Sequence, residues 1–332
     1  MIQIPKKLQT FTPHPLVRNG HSQTVFANLV GNAEGQNRTS ELTLELRDGD
    51  RTTCEIDTPN GKEKEPIILG WHGLGGCSKS QYLLRLSNKL SQKGYRMIRI
   101  NHRGCGDKVL AKQIYHAHRL NDFHDVIVRL SHEFKDRPFY ILAFSLSANM
   151  LLNFFGRHGA RNEMPWVKRI MVVNPPVDLD ACSAQISRTS NFMFDRYFTY
   201  LLKNMAWERH RLFSDIAPPN FPRNISLRKF DETFVVPNGG FKSLEEYYDL
   251  GSSLPHLENI QIPTQILTTE DDPLIPIACI RSAKLSSSTN LCVQKFGGHM
   301  GFISKNKTPY GDNRWMDWAL IHWVLNGSLN FA

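Results

Sequence analysis

The sequence lacks the long apolar stretch that marks a membrane-spanning helix, because no segment of its 332 residues reaches about 18 consecutive apolar positions. Lys6 and Lys7 near the N-terminus are followed by no apolar segment, so we expect no signal peptide. The six cysteines lie far apart and include no C-x-x-C pair, which fits neither a zinc site nor a disulfide framework. These absences together predict a protein of the reducing cytoplasm.

Charge of one sign is not concentrated in any segment. The 40 Lys and Arg residues against 31 Asp and Glu residues give a formal net charge of +9, yet no run of five like charges occurs. We therefore expect no nucleic-acid partner. The positive excess favours an ordinary basic soluble protein, with peripheral contact with an anionic membrane as the alternative. The oligomeric state is not predicted by these features.

The most informative stretch that is present changes its hydrophobic period at one serine. Residues Phe139–Phe144 form an apolar run typical of a buried parallel strand, and after Ser145 the apolar residues recur at helical spacing. A strand that bends at a serine into a helix is a nucleophile elbow, usually written G-x-S-x-G because the flanking positions must be small. Ala143 and Ser147 occupy those positions. A buried strand before a serine-rich turn would give the same pattern, so the interpretation depends on partners elsewhere.

Two later strand ends supply the partners that a nucleophilic serine needs, an acid and then a histidine. The predicted strand at 264–268 is followed by Asp271 and Asp272, and the one at 291–296 is followed by His299 in a glycine-flanked loop. The carboxyl ends of parallel strands are where such sheets place their sites. We predict Ser145, Asp272 and His299 as catalytic residues, with Asp271 as the alternative to Asp272.

Two backbone amides are predicted to form the oxyanion hole that acyl transfer requires. One belongs to Leu146, and the other to Leu74 in the glycine-rich turn at 72–76. A phosphate-binding loop is the alternative for this turn, but it lacks the expected lysine and spacing. His116 and His118 have metal-ligand types but no accompanying motif, so we interpret them as a solvated helix start. We expect no metal and no cofactor.

Strands and helices alternate along most of the chain, which predicts an α/β fold with a mostly parallel central sheet flanked by helices. We assign residues 41–177 and 259–332 to this core and 178–258 to a helical cap insertion. Residues 1–40 are predicted to be an irregular extension that packs on the core. Hydrophobic periodicity predicts strands at 41–46, 52–56, 67–71, 95–100, 139–144, 169–173, 264–268 and 291–296, and helices at 79–93, 118–134, 277–285 and 312–325.

With these residues assigned, the chain resembles the YheT-like branch of the α/β-hydrolases, the AB hydrolase-4 family, over nearly its whole length. The resemblance implies Ser145 as nucleophile, Asp272 as orienting acid and His299 as base, acting on short-chain esters, acylglycerols or phospholipids. The sequence departs from the family at Ala143 and Ser147, where glycine is usual. The motifs that carry the resemblance are Asn19-Gly20-His21-Ser22-Gln23-Thr24, His72–Gly76, Asn101–Cys105, Asp231, Gly240-Phe241, Tyr247-Tyr248, Asp271–Pro273 and Gly298–Phe302.

Our leading functional hypothesis is a serine esterase, a carboxylic-ester hydrolase that forms an acyl-enzyme on Ser145. An acyltransferase or thioesterase would use the same residues with a different acyl acceptor. A hydrolase fold kept as a binding module is the third possibility, favoured by the altered elbow alone. The expected partner is a small-molecule ester or lipid.

Overall fold

A computed structural model describes residues 7–29, 35, 37–135, 137–158, 163–329 and 331. Its eight-stranded sheet has the order β1-β2-β4-β3-β5-β6-β7-β8. The first two strands pair antiparallel at one edge, and the pairings from β4 to β8 are all parallel, which confirms the predicted fold class. The strands are β1 (Arg38–Glu45), β2 (Arg51–Thr58), β3 (Lys64–Trp71), β4 (Tyr95–Ile100), β5 (Phe139–Phe144), β6 (Val167–Val173), β7 (Thr264–Thr269) and β8 (Thr289–Gln294).

Helices cover both faces of the sheet, and a group of them lies between β6 and β7 in the segment predicted to be the cap. No helix of the described ranges combines the length and apolarity needed to cross a bilayer. The helices are α1 (Gly20–Leu29), α2 (Gln81–Ser91), α3 (Asn121–Glu133), α4 (Leu146–His158), α5 (Leu179–Ile186), α6 (Phe192–Leu212), α7 (Leu227–Phe230), α8 (Val236–Gly239), α9 (Leu244–Gly251), α10 (Ile277–Arg281) and α11 (Trp315–Asn326).

The prediction that residues 1–40 are irregular was wrong for α1, and β1 already begins at Arg38. The face of α1 that packs inward carries Gln23 and Thr24, which are buried but polar. Because no apolar residue repeats on that face, its helical period is invisible to a hydrophobicity pattern. The remainder of the predicted extension, residues 1–6, 30–34 and 36, lies outside the described residues.

Other predicted elements differ from the structure at their ends. The helix predicted from 118 begins at Asn121, the one predicted to reach 285 ends at Arg281, and β8 lies two residues before its predicted place. The last helix begins at Trp315 rather than at residue 312, because Asp312 accepts hydrogen bonds from the N–H of Arg314 and from the Thr308 side chain in a turn. These differences leave the sites at the strand ends in place.

Two hydrophobic clusters sandwich the sheet, and β5 contributes to both. Ile141 and Ala143 belong to the cluster under α3 and α4, whereas Leu142 and Phe144 belong to the cluster under α2 and α11. Successive side chains of a strand point to opposite faces, so a strand covered on both sides must be apolar throughout. This double burial explains the unbroken apolar run before Ser145.

A buried carboxylate joins α11 to α2. Asp317 is fully buried and pairs with Arg85 at 2.9 Å and Lys89 at 2.8 Å. Burial alone would raise the pKa of Asp317, but the two cations outweigh it and hold the pKa below its ordinary value. Its contribution to folding is therefore complete above the ordinary pKa and is lost as the pH falls through the lowered one.

We predict that Asp317→Asn lowers the free energy of unfolding by about 3 kcal/mol at pH 7, because Arg85 loses its buried counter-charge and Lys89 keeps only its ion pair with Asp312 at 2.6 Å. Urea denaturation would measure the loss, which should shrink below about pH 4 as the wild-type carboxylate is protonated. Asp107→Asn is the matched control, since Asp107 pairs with Lys79 at an exposed position and should change stability by less than about 0.5 kcal/mol. Equal effects of the two variants would contradict the prediction.

Candidate active site

The bend between β5 and α4 places Ser145 in the left-handed region, with φ at +52°. This conformation is uncommon for a residue with a side chain and is typical of strained positions at functional sites. The Ser145 N–H donates to the Val173 carbonyl at 2.9 Å, which ties the bend to the end of β6. The sharp strand-to-helix turn predicted as a nucleophile elbow is therefore present, with its serine at the carboxyl end of a central strand.

The small residues on either side of the bend are fully buried. Ala143 packs in the core, and the Ser147 hydroxyl donates to the carbonyl of His72 and contacts the His102 ring. Ser147 thus faces the packed side of the bend. Because its hydroxyl group has buried partners, the elbow accommodates a serine where glycine is usual.

The structure brings together the three side chains that sequence reasoning selected. His299 Nε2 lies 2.9 Å from Ser145 Oγ, and His299 Nδ1 lies 2.8 Å from Asp272 Oδ2. Asp272 is buried, and its Oδ1 accepts the backbone N–H groups of Leu274 at 2.8 Å and Ile275 at 3.2 Å. A continuous hydrogen-bonded chain therefore runs from a buried carboxylate through the imidazole to the serine hydroxyl group.

The alternative acid, Asp271, does not contact the His299 ring. Its Oδ1 accepts the Gly298 N–H at 2.8 Å, so it holds the loop that carries His299. Burial raises the pKa of Asp271, with the neighbouring Asp272 adding to the shift. The two adjacent carboxylates thus have separate tasks, one on the histidine ring and one on its loop.

Asn174 completes the surroundings of Asp272 and was not selected from the sequence. It follows β6, has φ at +47°, and donates from Nδ2 to Asp272 Oδ2 at 2.7 Å. Its own N–H donates to the Leu267 carbonyl at 2.8 Å. A polar residue directly after a buried apolar strand was the available signal, the same one that revealed Asp272.

Helix α1 supports the loop that carries His299. The Thr24 side-chain oxygen accepts the His299 N–H at 2.8 Å, and its hydroxyl group donates to the Gly20 carbonyl at 2.6 Å. Gln23 binds both backbone groups of Ile303, accepting its N–H at 2.7 Å and donating to its carbonyl at 3.0 Å. These two residues belong to the N-terminal motif that carried the resemblance but had no assigned role.

This contact requires glycines on both sides. A Cβ atom at Gly298, whose φ is +59°, would lie 2.3 Å from the Gly20 carbonyl oxygen, and one at Gly20 would lie 1.7 Å from the Asp271 carbonyl oxygen. Both distances are far below van der Waals contact. The backbones of α1 and the histidine loop therefore touch directly.

The glycine-rich turn after β3 lies against the elbow. A Cβ atom at Gly73 would lie 2.9 Å from Ser145 Cβ, so only glycine fits there without a shift. Leu74 and Leu146 both line the cavity beside Ser145. Neither of their N–H groups donates to another residue of the described ranges. The two residues whose amides are predicted to form the oxyanion hole thus line the same cavity as the serine.

The sequence profile of the α/β-hydrolase fold matches residues 66–306 of the chain. The chain belongs to the α/β-hydrolase family. The match spans β3 to the histidine loop and therefore includes the elbow and both partners of Ser145. The YheT-like resemblance is also confirmed. The Escherichia coli protein named "Putative esterase YheT" is 28% identical over 325 residues, covering 95% of this chain and 92% of that protein.

Two further comparisons give a eukaryotic relative and a solved structure. The human protein "Phospholipase ABHD3" is 27% identical over 280 residues, which cover 83% of this chain and 66% of that protein. The chain thus spans just under two thirds of the human relative's length. The Pyrococcus furiosus esterase Pf2001 superposes with a TM-score of 0.54 at 14% identity, covering 89% of this chain and 91% of that one. At such low identity the superposition supports the fold alone.

A cavity with an empty volume of about 770 Å³, including its open mouth, lies above Ser145. The helices between β6 and β7 form most of its wall, and the side chains they contribute are largely apolar. Those lining residues include Leu179, Cys182, Ile186, Phe198, Leu202 and Leu227.

One carboxyl group interrupts the apolar wall. Asp231 lies on the cavity, and its Oδ2 is 3.0 Å from the Tyr248 hydroxyl, which is 2.9 Å from Ser183 Oγ. Burial raises the pKa of Asp231 to about 7, although the Tyr248 hydroxyl and the charge of Arg228 act in the opposite direction. The sequence motif pointed to Asp231, but its half-buried position on the cavity wall became apparent only in the structure.

The sequence interpretation of His116 was wrong. His116 is buried rather than solvated, with its ring edge-on to Phe241 at 5.1 Å, and burial lowers its pKa to about 2. The solvated interpretation failed because α8 and α9 cover this segment. The ring of His102, in the loop 101–105, stacks on the ring of Tyr115 with their centroids 4.6 Å apart. Tyr115 lines the cavity, and His102 lies behind it.

We predict that Thr24→Val slows the reaction of Ser145 with a fluorophosphonate probe by about tenfold or more, because the loop of His299 loses its anchor and small misplacements cost reactivity. Thr24→Ser is the matched control, since it keeps the accepting oxygen and should react at a rate close to wild type. Urea denaturation would check that both variants fold equally well. Equal probe rates for valine and serine would contradict the anchoring role.

We predict that the pH dependence of stability changes in Asp231→Asn. Folding raises the pKa of this carboxyl from its ordinary 3.8 to about 7, so the wild type loses stability as the pH rises through that window. The variant lacks this loss and should gain about 2 kcal/mol relative to wild type between pH 5 and pH 8. Urea unfolding at both pH values, with Glu232→Gln as an exposed neighbouring control, would measure the gain. Parallel curves would disprove it.

Proposed function

We propose that the protein is a serine esterase, a carboxylic-ester hydrolase that forms an acyl-enzyme on Ser145. The observation that carries the proposal is the hydrogen-bonded chain in which His299 lies 2.9 Å from Ser145 Oγ and 2.8 Å from Asp272. A serine hydroxyl group is a weak nucleophile until a positioned base takes its proton. The names of the relatives, an esterase and a phospholipase, support the same reaction class.

In the proposed reaction, Ser145 Oγ attacks the carbonyl carbon of the ester while His299 Nε2 takes the hydroxyl proton. The His299 Nδ1–H donates to Asp272, which orients the ring and stabilises its charged form. Donors from Asn174, Leu274 and Ile275 hold the carboxylate in place. The N–H groups of Leu74 and Leu146 are the proposed donors to the oxyanion of the tetrahedral intermediate.

When the tetrahedral intermediate breaks down, His299 acts as an acid instead of a base. The protonated His299 gives its proton to the leaving alcohol, and the acyl group stays on Ser145 as an ester. His299 then activates a water molecule that attacks the acyl carbon, and Ser145 recovers its proton. An acyltransferase would form the same acyl-enzyme and pass the acyl group to an acceptor other than water. A thioesterase would form it from a thioester, with a thiol as the leaving group.

The largely apolar cavity suggests the substrate class. Leu179, Phe198 and Leu202 offer a surface for an acyl chain beside Ser145. The substrates proposed on this basis are short-chain esters, acylglycerols or phospholipids. The buried position of the Ser147 side chain also supports activity, because the altered elbow leaves the Ser145 hydroxyl group directed at His299.

We predict a stoichiometric burst of p-nitrophenol when the protein reacts with p-nitrophenyl butyrate, and no burst from Ser145→Ala, because only Ser145 carries the acyl group. Asp272→Asn should lower kcat by about a thousandfold or more. Asp271→Asn is its matched control and should retain far more activity, since Asp271 contacts the histidine loop and not the ring. Rapid-mixing absorbance would record the burst.

Three outcomes would change the proposal. A burst that persists in Ser145→Ala would assign the nucleophile elsewhere. A burst with slow turnover that an added alcohol or thiol accelerates would favour an acyltransferase. No burst with esters from acetyl to palmitoyl would overturn the esterase and favour a binding module.

A further inference from the structure

Exposed apolar side chains are concentrated on one helix of the cap. Of the nine large hydrophobic side chains that are exposed among the described residues, six lie on α6, with Met193 at 75% and Tyr200 at 63% exposure. Single exposed hydrophobic residues are normal on protein surfaces, but a cluster indicates an interaction site. The six are Phe192, Met193, Tyr197, Tyr200, Trp207 and Leu212.

Helical geometry places most of these residues on one side. At 100° per residue, the five from Phe192 to Trp207 fall within an arc of about 140°. The opposite side of α6 is also apolar, because Leu202 is buried and, with Phe198, lines the cavity above Ser145. Helix α6 therefore has two apolar faces, one toward the cavity and one toward the outside. We call the outer face, with its five residues, the α6 outer face.

Cations surround this face without carboxylate partners. Five of the basic residues on α6 or on segments next to it form no ion pair with another residue of the described ranges, although an exposed carboxylate, Glu208, also lies on α6. Lys203 and Arg196 hydrogen-bond to backbone carbonyls instead, the former to Arg223 at 3.0 Å and the latter to Ile225 at 3.3 Å. The five are Arg188, Arg196, Lys203, Arg211 and Arg223.

The apolar surface continues toward α1. His21 Nε2 lies 3.0 Å from Asn191 Oδ1, directly before α6, and the His21 ring lies 5.9 Å from that of Phe194. Val25 follows His21 by one helical turn and is 46% exposed, and the adjacent Phe26 is 39% exposed. Helix α1 thus contacts the start of α6 through His21 and carries two exposed apolar side chains of its own.

We propose that the α6 outer face binds the surface of an anionic lipid bilayer. Tyrosine and tryptophan rings flanked by Arg and Lys are the composition that favours the headgroup region of membranes. The net charge of +9 provides long-range attraction to such a surface. A second copy of the chain fits less well, because a two-fold contact through this face would oppose five cations to five cations.

The same helix would connect the bilayer to the cavity. Because Phe198 and Leu202 line the cavity on the inner side of α6, a bilayer on its outer side would lie about one helix diameter from it, ~10 Å. If the esterase proposal holds, a lipid ester could reach Ser145 without crossing bulk water. Membrane binding itself does not depend on that chemistry.

Co-sedimentation with vesicles tests the proposal directly. We expect the wild-type protein to bind vesicles of phosphatidylcholine with 30% phosphatidylglycerol at low salt, to bind pure phosphatidylcholine much less, and to dissociate at high salt. The variant Arg188→Gln, Arg211→Gln, Arg223→Gln should bind about a hundredfold more weakly, since each basic residue contributes roughly fivefold. The variant Tyr197→Ser, Tyr200→Ser, Trp207→Ser should also lose binding.

A matched control separates local from overall charge. The variant Lys62→Gln, Lys64→Gln, Lys168→Gln also removes three positive charges, but at the amino ends of β3 and β6, on the opposite side of the sheet from Ser145. It should bind anionic vesicles as the wild type does. Thermal unfolding would check that every variant is folded. The arginine variant should also hydrolyse soluble p-nitrophenyl butyrate at the wild-type rate, so a failed esterase proposal and a failed membrane proposal give different results.

Three results would overturn the proposal. They are an absence of binding to anionic vesicles at low salt, equal losses in the arginine variant and the lysine control, and a dimer in sedimentation velocity that the aromatic variant dissociates. The last result would assign the α6 outer face to a second copy of the chain.

Discussion

The left-handed bend at Ser145 is the constraint around which the rest of the site is arranged. With φ at +52° the chain turns so sharply that neighbouring groups have little room. Gly73 has no side chain because a Cβ atom there would lie 2.9 Å from Ser145 Cβ. A serine is accommodated at position 147 because its hydroxyl group donates to the His72 carbonyl and contacts the His102 ring. The departure from glycine at the elbow is thus compensated by a polar contact in the layer behind it.

The residues that sequence reasoning found share one property. Ser145, Asp272 and His299 each follow an apolar strand, and parallel strands bring such positions to one sheet edge whatever the details of packing. Helix α1 was missed for the opposite reason. Its contacts use Gln23, Thr24 and bare glycine backbone, so neither propensity nor hydrophobic period marks them. Backbone contacts between segments far apart in the chain produce no hydrophobic periodicity in the sequence.

The charges of the protein are distributed unevenly between the core and the cap. In the core, basic side chains are closely matched, as Arg103 is by Asp50 and Asp122 at 2.9 and 2.6 Å. Between β6 and β7, the cations around α6 form no ion pair within the described part of the chain, and neither does the half-buried Asp231. Buried charges need partners and exposed ones do not. The charged groups without ion-pair partners at the surface and on the cavity wall therefore indicate candidate binding sites.

The hydrogen bond between Thr24 and His299 joins residues 275 positions apart. Such a contact forms only after nearly the whole chain has been synthesised, and it raises the average sequence separation of native contacts, which slows folding. Whatever chemistry His299 performs, a nascent chain or one clipped near either end would hold an incomplete site on an otherwise ordered sheet. The site is therefore complete only when the chain segments around Thr24 and His299 are both in place.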